Sequence, residues 1–264
     1  MKRLLRNTLS ELSYRAIRLT NSPSTGLRIL TYHRVTDAHP ADRLCVPLAA
    51  FAKQMQYLHD AGYQTVSFLQ GVQWVGGAAE LPPKAVVITF DDGFEDNFLY
   101  AYPAMARYGF KGCFFIPSAF IASDLNGLRP EDRPMSWAQL HELLREGHEI
   151  GAHSINHVKL TQVARDEMEL EVRGSKKALE ASLQHPVDFF CYPSGDYDQA
   201  VRDAVQAYGY FGACTVKPGT NHPGTDRFAL KRTEISAFDS LRDFERKLAG
   251  AYDWLHRAVQ RVKR

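Results

Sequence analysis

The chain contains no apolar run long enough to span a bilayer; its hydrophobic residues are scattered in short stretches through all 264 positions. Charge of one sign is also missing. Thirty-two Lys and Arg stand against 30 Asp and Glu, and the net of +2 leaves no electrostatic footprint for nucleic acid. Cysteine is sparse: Cys45, Cys113, Cys191 and Cys214 are far apart and none forms a Cys-x-x-Cys pair, which excludes a thiolate zinc site. Three of them, Cys113, Cys191 and Cys214, fall in strand-like runs, where a free thiol behaves as a small apolar group. The first twenty residues lack the continuous apolar centre of a secretory signal, because Arg6, Glu11, Arg15 and Arg18 break it up. The expectation is a cytoplasmic protein with reduced thiols, working in solution or at the inner face of the membrane.

What is present is 45% hydrophobic residues, enough for one domain of barrel size with a sizeable core. Residues 1–26 read as an amphipathic helix and linker. Leu5, Leu9, Leu12, Ala16 and Leu19 form its stripe, with Lys2, Arg3, Arg6, Arg15 and Arg18 around it. Packing on the domain is its expected role, and weak contact with an anionic membrane surface the alternative. Residues 27–264 read as one main domain, and its pattern alternates strand and helix. Strands are expected over 27–35, 64–68, 86–90, 111–116, 187–192 and 210–215, with another short one ahead of His153. Helices are expected over 48–61, 97–108, 137–146 and 198–208, and a further helix has Met168, Val172, Ser175 and Leu179 on one face. A loop is expected through Gly71, Gly76, Gly77, Pro82 and Pro83. A last helix over 240–262 reads as a strut across the bottom of the fold. Repeated βα units of this length imply an α/β fold with a parallel sheet, closed or nearly so.

Chemistry gathers at the ends of strands. Val86-Val87-Ile88-Thr89-Phe90 delivers Asp91-Asp92-Gly93 to its carboxyl edge, where parallel α/β folds present catalytic groups. Two adjacent carboxylates on opposite faces can serve a metal and a proton separately. The next motif is Gly147-His148-Glu149-Ile150-Gly151-Ala152-His153-Ser154-Ile155-Asn156-His157. A helical turn would face its two imidazoles the same way, and with one Asp they complete an N,N,O set with an open position. Ser154 after the first His argues against a zincin, which needs Glu there.

Together with Met135-Ser136-Trp137 and Phe190-Cys191-Tyr192-Pro193-Ser194-Gly195, these motifs resemble the polysaccharide deacetylases of the NodB-homology type, carbohydrate esterase family 4. The ordered match runs from about Ile29 to Ile235. The resemblance implies a distorted, incomplete (β/α) barrel that removes N-acetyl groups from an amino-sugar polymer or lipid-linked glycan and releases acetate. It implies that Asp92, His153 and His157 hold a divalent metal. Zinc comes first, and cobalt, nickel and iron also suit mixed N and O donors. By the same resemblance Asp91 is the general base, the Tyr192 backbone N–H holds the oxyanion, Pro193 and Gly195 shape that loop, and Trp137 walls the acetyl pocket.

Two positions depart from the family pattern. Cys191 stands where the family has an arginine that holds the base, and the late Leu-x-His that supplies the acid is here Leu230-Lys231-Arg232. Relatives acting on biofilm poly-N-acetylglucosamine take their acid from the first strand, and His33 is assigned that role. Arg232 is assigned, from charge alone, as the substitute partner of Asp91. His148 is expected to cap a turn, and Asp124, Asn126, Asp132 and Arg133 to form a polar loop for sugar contact or solvation. The rival functions are an amidase or O-acetyl esterase acting on a small molecule, and a non-catalytic glycan-binding domain.

Overall fold

The structure is a computed structural model and describes residues 26–121 and 128–253. The helix expected over 1–26, residues Asp124 and Asn126, and the last helix beyond residue 253 lie outside the described residues.

The strands, in chain order, are β1 (Arg28–Tyr32), β2 (Arg34–Val35), β3 (Cys45–Val46), β4 (Gln64–Thr65), β5 (Ala85–Phe90), β6 (Cys113–Ile116), β7 (Glu149–Ala152), β8 (Phe189–Cys191), β9 (Gly212–Pro218) and β10 (Leu230–Glu234). Seven of them close into a parallel ring in the order β1-β10-β9-β8-β7-β6-β5, with β5 returning to β1. Strand β4 adds to the ring beside β5, while β2 and β3 pair separately. The barrel is thus one strand short of eight, in keeping with the incomplete (β/α) barrel.

Alternation along each strand sorts side chains to two sides. Leu30, Tyr32, Ile88, Phe90, Phe114 and Phe190 belong to one large apolar cluster shared with the surrounding helices. Ile29, Val87, Phe115, Phe189, Cys191, Cys214 and Leu230 form a second cluster, the barrel interior. The helices are α1 (Leu48–Asp60), α2 (Phe68–Val75), α3 (Tyr102–Ala106), α4 (Trp137–Arg145), α5 (Arg165–Leu183), α6 (Gln199–Ala207) and α7 (Leu241–Leu248).

Helix α2 plugs the amino end of the barrel. Its Phe68 ring packs 5.4 Å from Phe115 and 5.0 Å from Phe189, and Val72 and Val75 join the same interior cluster. This corrects the expected strand 64–68 and the loop through Gly71. Ser67 and Gln70 form a reciprocal capping box that starts a helix, and the Glu149 carboxylate accepts the orphan N–H groups of Phe68 and Leu69. Gly71 lies inside the helix because a Cβ there would sit 2.8 Å from Leu27 Cδ2.

Three further expectations are revised. The first strand stops at Tyr32, so His33 is freed from the ladder. The segment over 97–108 is a π-helical turn (Asn97–Ala101) running into α3, and not one regular helix. Helix α7 runs along the flank of the barrel beside α1, with Phe244 edge-on to Tyr57 at 6.1 Å. It ends at Leu248, whose carbonyl accepts from Arg28 at the amino end of β1, and Gly250 follows with φ 77°. It is not a strut across the bottom within the described residues.

Candidate active site

The carboxyl edge of the barrel gathers most of the predicted site. Asp91 extends β5 by donating its N–H to the Tyr32 carbonyl at 3.0 Å, which turns its side chain inward, where it is 2% exposed. Inside, Arg232 of β10 grips it in a bidentate pair, Nη1 to Oδ1 and Nη2 to Oδ2, both 2.7 Å. The same guanidinium donates to the Thr215 carbonyl (2.9 Å), to Thr89 Oγ1 (3.1 Å) and to Cys191 Sγ (3.0 Å). Burial pushes the Asp91 carboxyl up, but the charge and hydrogen bonds of Arg232 outweigh it and hold the group well below the usual carboxylate range.

Asp92 points elsewhere because its backbone is left-handed, φ 73°. Its Oδ1 lies 3.5 Å from His153 Nε2 and 3.4 Å from His157 Nε2, and the two imidazole centroids are 4.7 Å apart. His153 Nδ1 faces the Cys191 carbonyl at 2.7 Å. A carbonyl only accepts, so Nδ1 carries the proton and Nε2 offers its lone pair toward Asp92. Asp92 Oδ1 is buried with no hydrogen-bond partner, and the three ligand atoms lie within 4.8 Å of one another. An orphan carboxylate oxygen facing two imidazole nitrogens is the donor set a divalent ion would satisfy.

The two histidines are brought together by a loop, not by the helical turn expected from their spacing. Ser154 and His157 both have positive φ, 62° and 57°, and the His157 N–H donates to Ser154 Oγ at 2.9 Å. Glu171 of α5 secures the loop by accepting from the Ile155 N–H (2.8 Å), the Asn156 N–H (2.9 Å) and Asn156 Nδ2 (2.7 Å). Six non-glycine residues among those described have left-handed backbone, and Asp92, Ser154, His157 and Ser194 of this site are four of them. Each such residue is held against an intrinsic cost of about 1–2 kcal/mol, and the clustering marks where the fold spends stability on geometry.

The remaining predicted residues divide. His33 follows β1 directly, half-buried, with its Nδ1 buried and unpartnered and its carbonyl accepting from Asn97 Nδ2 at 2.9 Å. It is near enough to stabilise both aspartates in their charged form. Tyr192 does not fit the role assigned to it. Its N–H is consumed in the ladder, donated to the Cys214 carbonyl at 3.2 Å, and its side chain leaves the barrel interior for the surrounding core, buried and stacked on Tyr197 at 4.6 Å with its OH donated to Phe228 O. Pro193 has no N–H, so Ser194, turned outward at φ 57°, presents the first backbone N–H on this loop without a backbone partner among the described residues. Pro193 is buried. Gly195 is packed so tightly that a Cβ would meet Val216 Cγ2 at 2.3 Å, so these two residues shape the loop. Trp137 opens α4, half-buried against the main core.

Sequence reasoning missed Glu171, which carries no local signal among the acidic residues of its helix. It also missed the network around Arg34. Arg34 binds Asp96 (2.7 Å) and Asp132 (2.9 Å) and lies 4.2 Å over the Phe94 ring, while His39 meets Asp132 at 2.8 Å. Asp132, expected in a polar loop, thus ties the segment before α4 through Arg34 to Asp96. His148, expected to cap a turn, is buried with its Nδ1 accepting from the Gly112 N–H at 3.1 Å.

The polysaccharide deacetylase family model matches residues 78–213, more than half of the chain. The Bacillus subtilis relative YxkH, assigned by name to the polysaccharide deacetylases, is 29% identical over 210 residues, which is 80% of this chain and 71% of its own. An Escherichia coli poly-beta-1,6-N-acetyl-D-glucosamine N-deacetylase is 33% identical over 87 residues, 33% of this chain and 13% of that protein. Among solved structures, the Streptococcus pyogenes deacetylase PplD shares the fold with a TM-score of 0.76 at 23% identity, covering 86% of this chain and 99% of its own. A barrel of this topology, carrying this family's motifs at one edge, places the chain in the polysaccharide deacetylase family of hydrolases.

Proposed function

We propose that the chain is a metal-dependent N-deacetylase that removes acetyl groups from a glycan containing N-acetylglucosamine. The observation that carries this reading is the convergence of Asp92 Oδ1, His153 Nε2 and His157 Nε2 beside a separate carboxylate, Asp91, that Arg232 holds. The name of the Escherichia coli relative supports the sugar.

Asp92, His153 and His157 would hold the ion, with zinc the first choice. When bound, a divalent ion supplies Lewis acidity, acidifying water and polarising the acetamide carbonyl. The chain's own residues do the rest. Asp91 takes a proton at the carboxylate that Arg232 fixes in place, which makes its orientation independent of substrate. The Ser194 N–H, in place of Tyr192, donates to the oxygen on which negative charge develops. His33, which follows β1 at the end next to β5 and the Asp pair, delivers a proton from its ring to the departing amine.

The test is acetate release from N-acetylglucosamine oligomers by protein stripped with chelator and reloaded with zinc or cobalt. Wild type releases acetate only with metal, and Asp91→Asn and His33→Ala lose about 10²-fold or more in kcat. Metal binding without acetate release from any acetylated sugar refutes the reading. Full activity in His33→Ala refutes its assignment as the acid.

A further inference from the structure

Phe120 stands at the same edge of the barrel as the metal-ligand triad and has no part in the chemistry above. Strand β6 ends at Ile116, and the short turn Ser118–Phe120 follows it. The Phe120 ring lies 6.3 Å from the His157 imidazole, centroid to centroid, at 41°, and the residue is 39% exposed. Single exposed apolar side chains are common on proteins, so exposure alone argues nothing. Placement and rigidity do argue. The turn is stitched to the histidine loop through the Ser118 N–H to Ser154 O (3.1 Å) and the Ala119 N–H to Ile155 O (3.0 Å), and Phe120 N–H closes on Pro117 O (3.0 Å). Glu171 anchors the other side of that loop. The backbone that carries Phe120 is therefore held against the loop that carries His157.

The two histidines also show from which side a substrate arrives. His153 has a side chain 3% exposed, whereas that of His157 is 30% exposed. A ligand approaching Asp92, His153 and His157 comes over His157, the side Phe120 occupies. An acetamide carbonyl placed there carries its sugar ring only a few bonds behind. The axial C–H groups of a pyranose make an apolar face, and an exposed aromatic ring is its complement, burying apolar area with no polar group left unpaired.

We propose that Phe120 is a specificity-determining residue, whose exposed ring stacks on the apolar face of the pyranose that bears the scissile acetamide. The proposal rests on the deacetylase reading and adds to it the side chain that recognises the sugar. The experiment compares kcat/KM for N-acetylglucosamine oligomers with that for para-nitrophenyl acetate, an acetyl donor with no sugar, in zinc-loaded wild type, Phe120→Ala, Phe120→Leu and Phe120→Tyr. Phe120→Ala lowers the ratio of sugar to ester efficiency about tenfold, mainly through KM, with Phe120→Tyr within about twofold of wild type and Phe120→Leu between. Thermal melts of all four proteins separate this effect from misfolding. Equal losses on sugar and ester, or no loss on either, in a wild type that deacetylates sugar overturn the role of Phe120 and leave the deacetylase reading standing. A wild type that cleaves the ester and no acetylated sugar overturns both.

Discussion

Replacing Arg232 by Met leaves a carboxylate sealed in the barrel without its counter-charge. The two side chains of this pair are 1% and 2% exposed, and the change removes both 2.7 Å charge-assisted hydrogen bonds from Asp91. Breaking a buried pair by deleting one partner costs about 3–5 kcal/mol, because the surviving charge is desolvated and unpaired. For a domain of this size that corresponds to a fall in Tm of about 10 °C. Methionine approximates the volume of the arginine stem, so the loss reports charge more than cavity. The double variant is the sharper test. Asp91→Asn with Arg232→Met removes both charges, and its loss of stability should fall short of the sum of the two single losses by about 2 kcal/mol or more. The assay is urea unfolding of the metal-free proteins, followed by circular dichroism, with all four corners of the cycle measured. Metal-free protein is used so that binding does not add to the folded state. Arg232 makes no hydrogen bond to Asp92, His153 or His157, so zinc affinity should be retained while acetate release collapses. Additivity within about 0.5 kcal/mol would show that the pair is not coupled and refute the reasoning.

Two further outcomes are expected. His148 is buried beside Tyr102 and Phe114, and burial, helped by the charge of Lys111, pushes its imidazole down to about 4. Its folded value lies below the unfolded value of about 6.5, so the unfolded chain binds the extra proton and stability falls as pH drops through that window, by about 3 kcal/mol in total. His148→Asn keeps an acceptor for Gly112 and should flatten the loss between pH about 6.5 and about 4 in a series of melts; an unchanged slope refutes the assignment. Glu171→Ala removes three hydrogen bonds from the loop carrying His157. Zinc affinity measured by competition with a chromogenic chelator should weaken about 10–100-fold, and an unaltered affinity would mean that the loop holds its shape without Glu171.

Much of the architecture is legible from local pattern. Val86 to Phe90 is apolar and β-branched and can only be a buried strand, so Asp91 and Asp92 must emerge at its carboxyl edge. Asp92, His153 and His157 were likewise readable, since ends of parallel strands share one rim. Strand β10 is hidden in the sequence because Leu230-Lys231-Arg232-Thr233-Glu234 looks polar, and the burial of Arg232 depends on facing a carboxylate 141 positions away. No propensity encodes such a partner. Tyr192 shows the same limit from the opposite direction: its motif position suggested a free N–H, and the register of β8 against β9 consumes that group at Cys214. The left-handed turns at Asp92, Ser154 and His157 are equally invisible in one dimension, because three residues that disfavour that conformation adopt it under the constraint of neighbours such as Glu171. Periodicity and strand-end chemistry are properties of contiguous residues, and the chain carries them openly. Register, ion pairing across the barrel and backbone strain arise between segments distant in sequence, and they take definite values when the ring of strands closes.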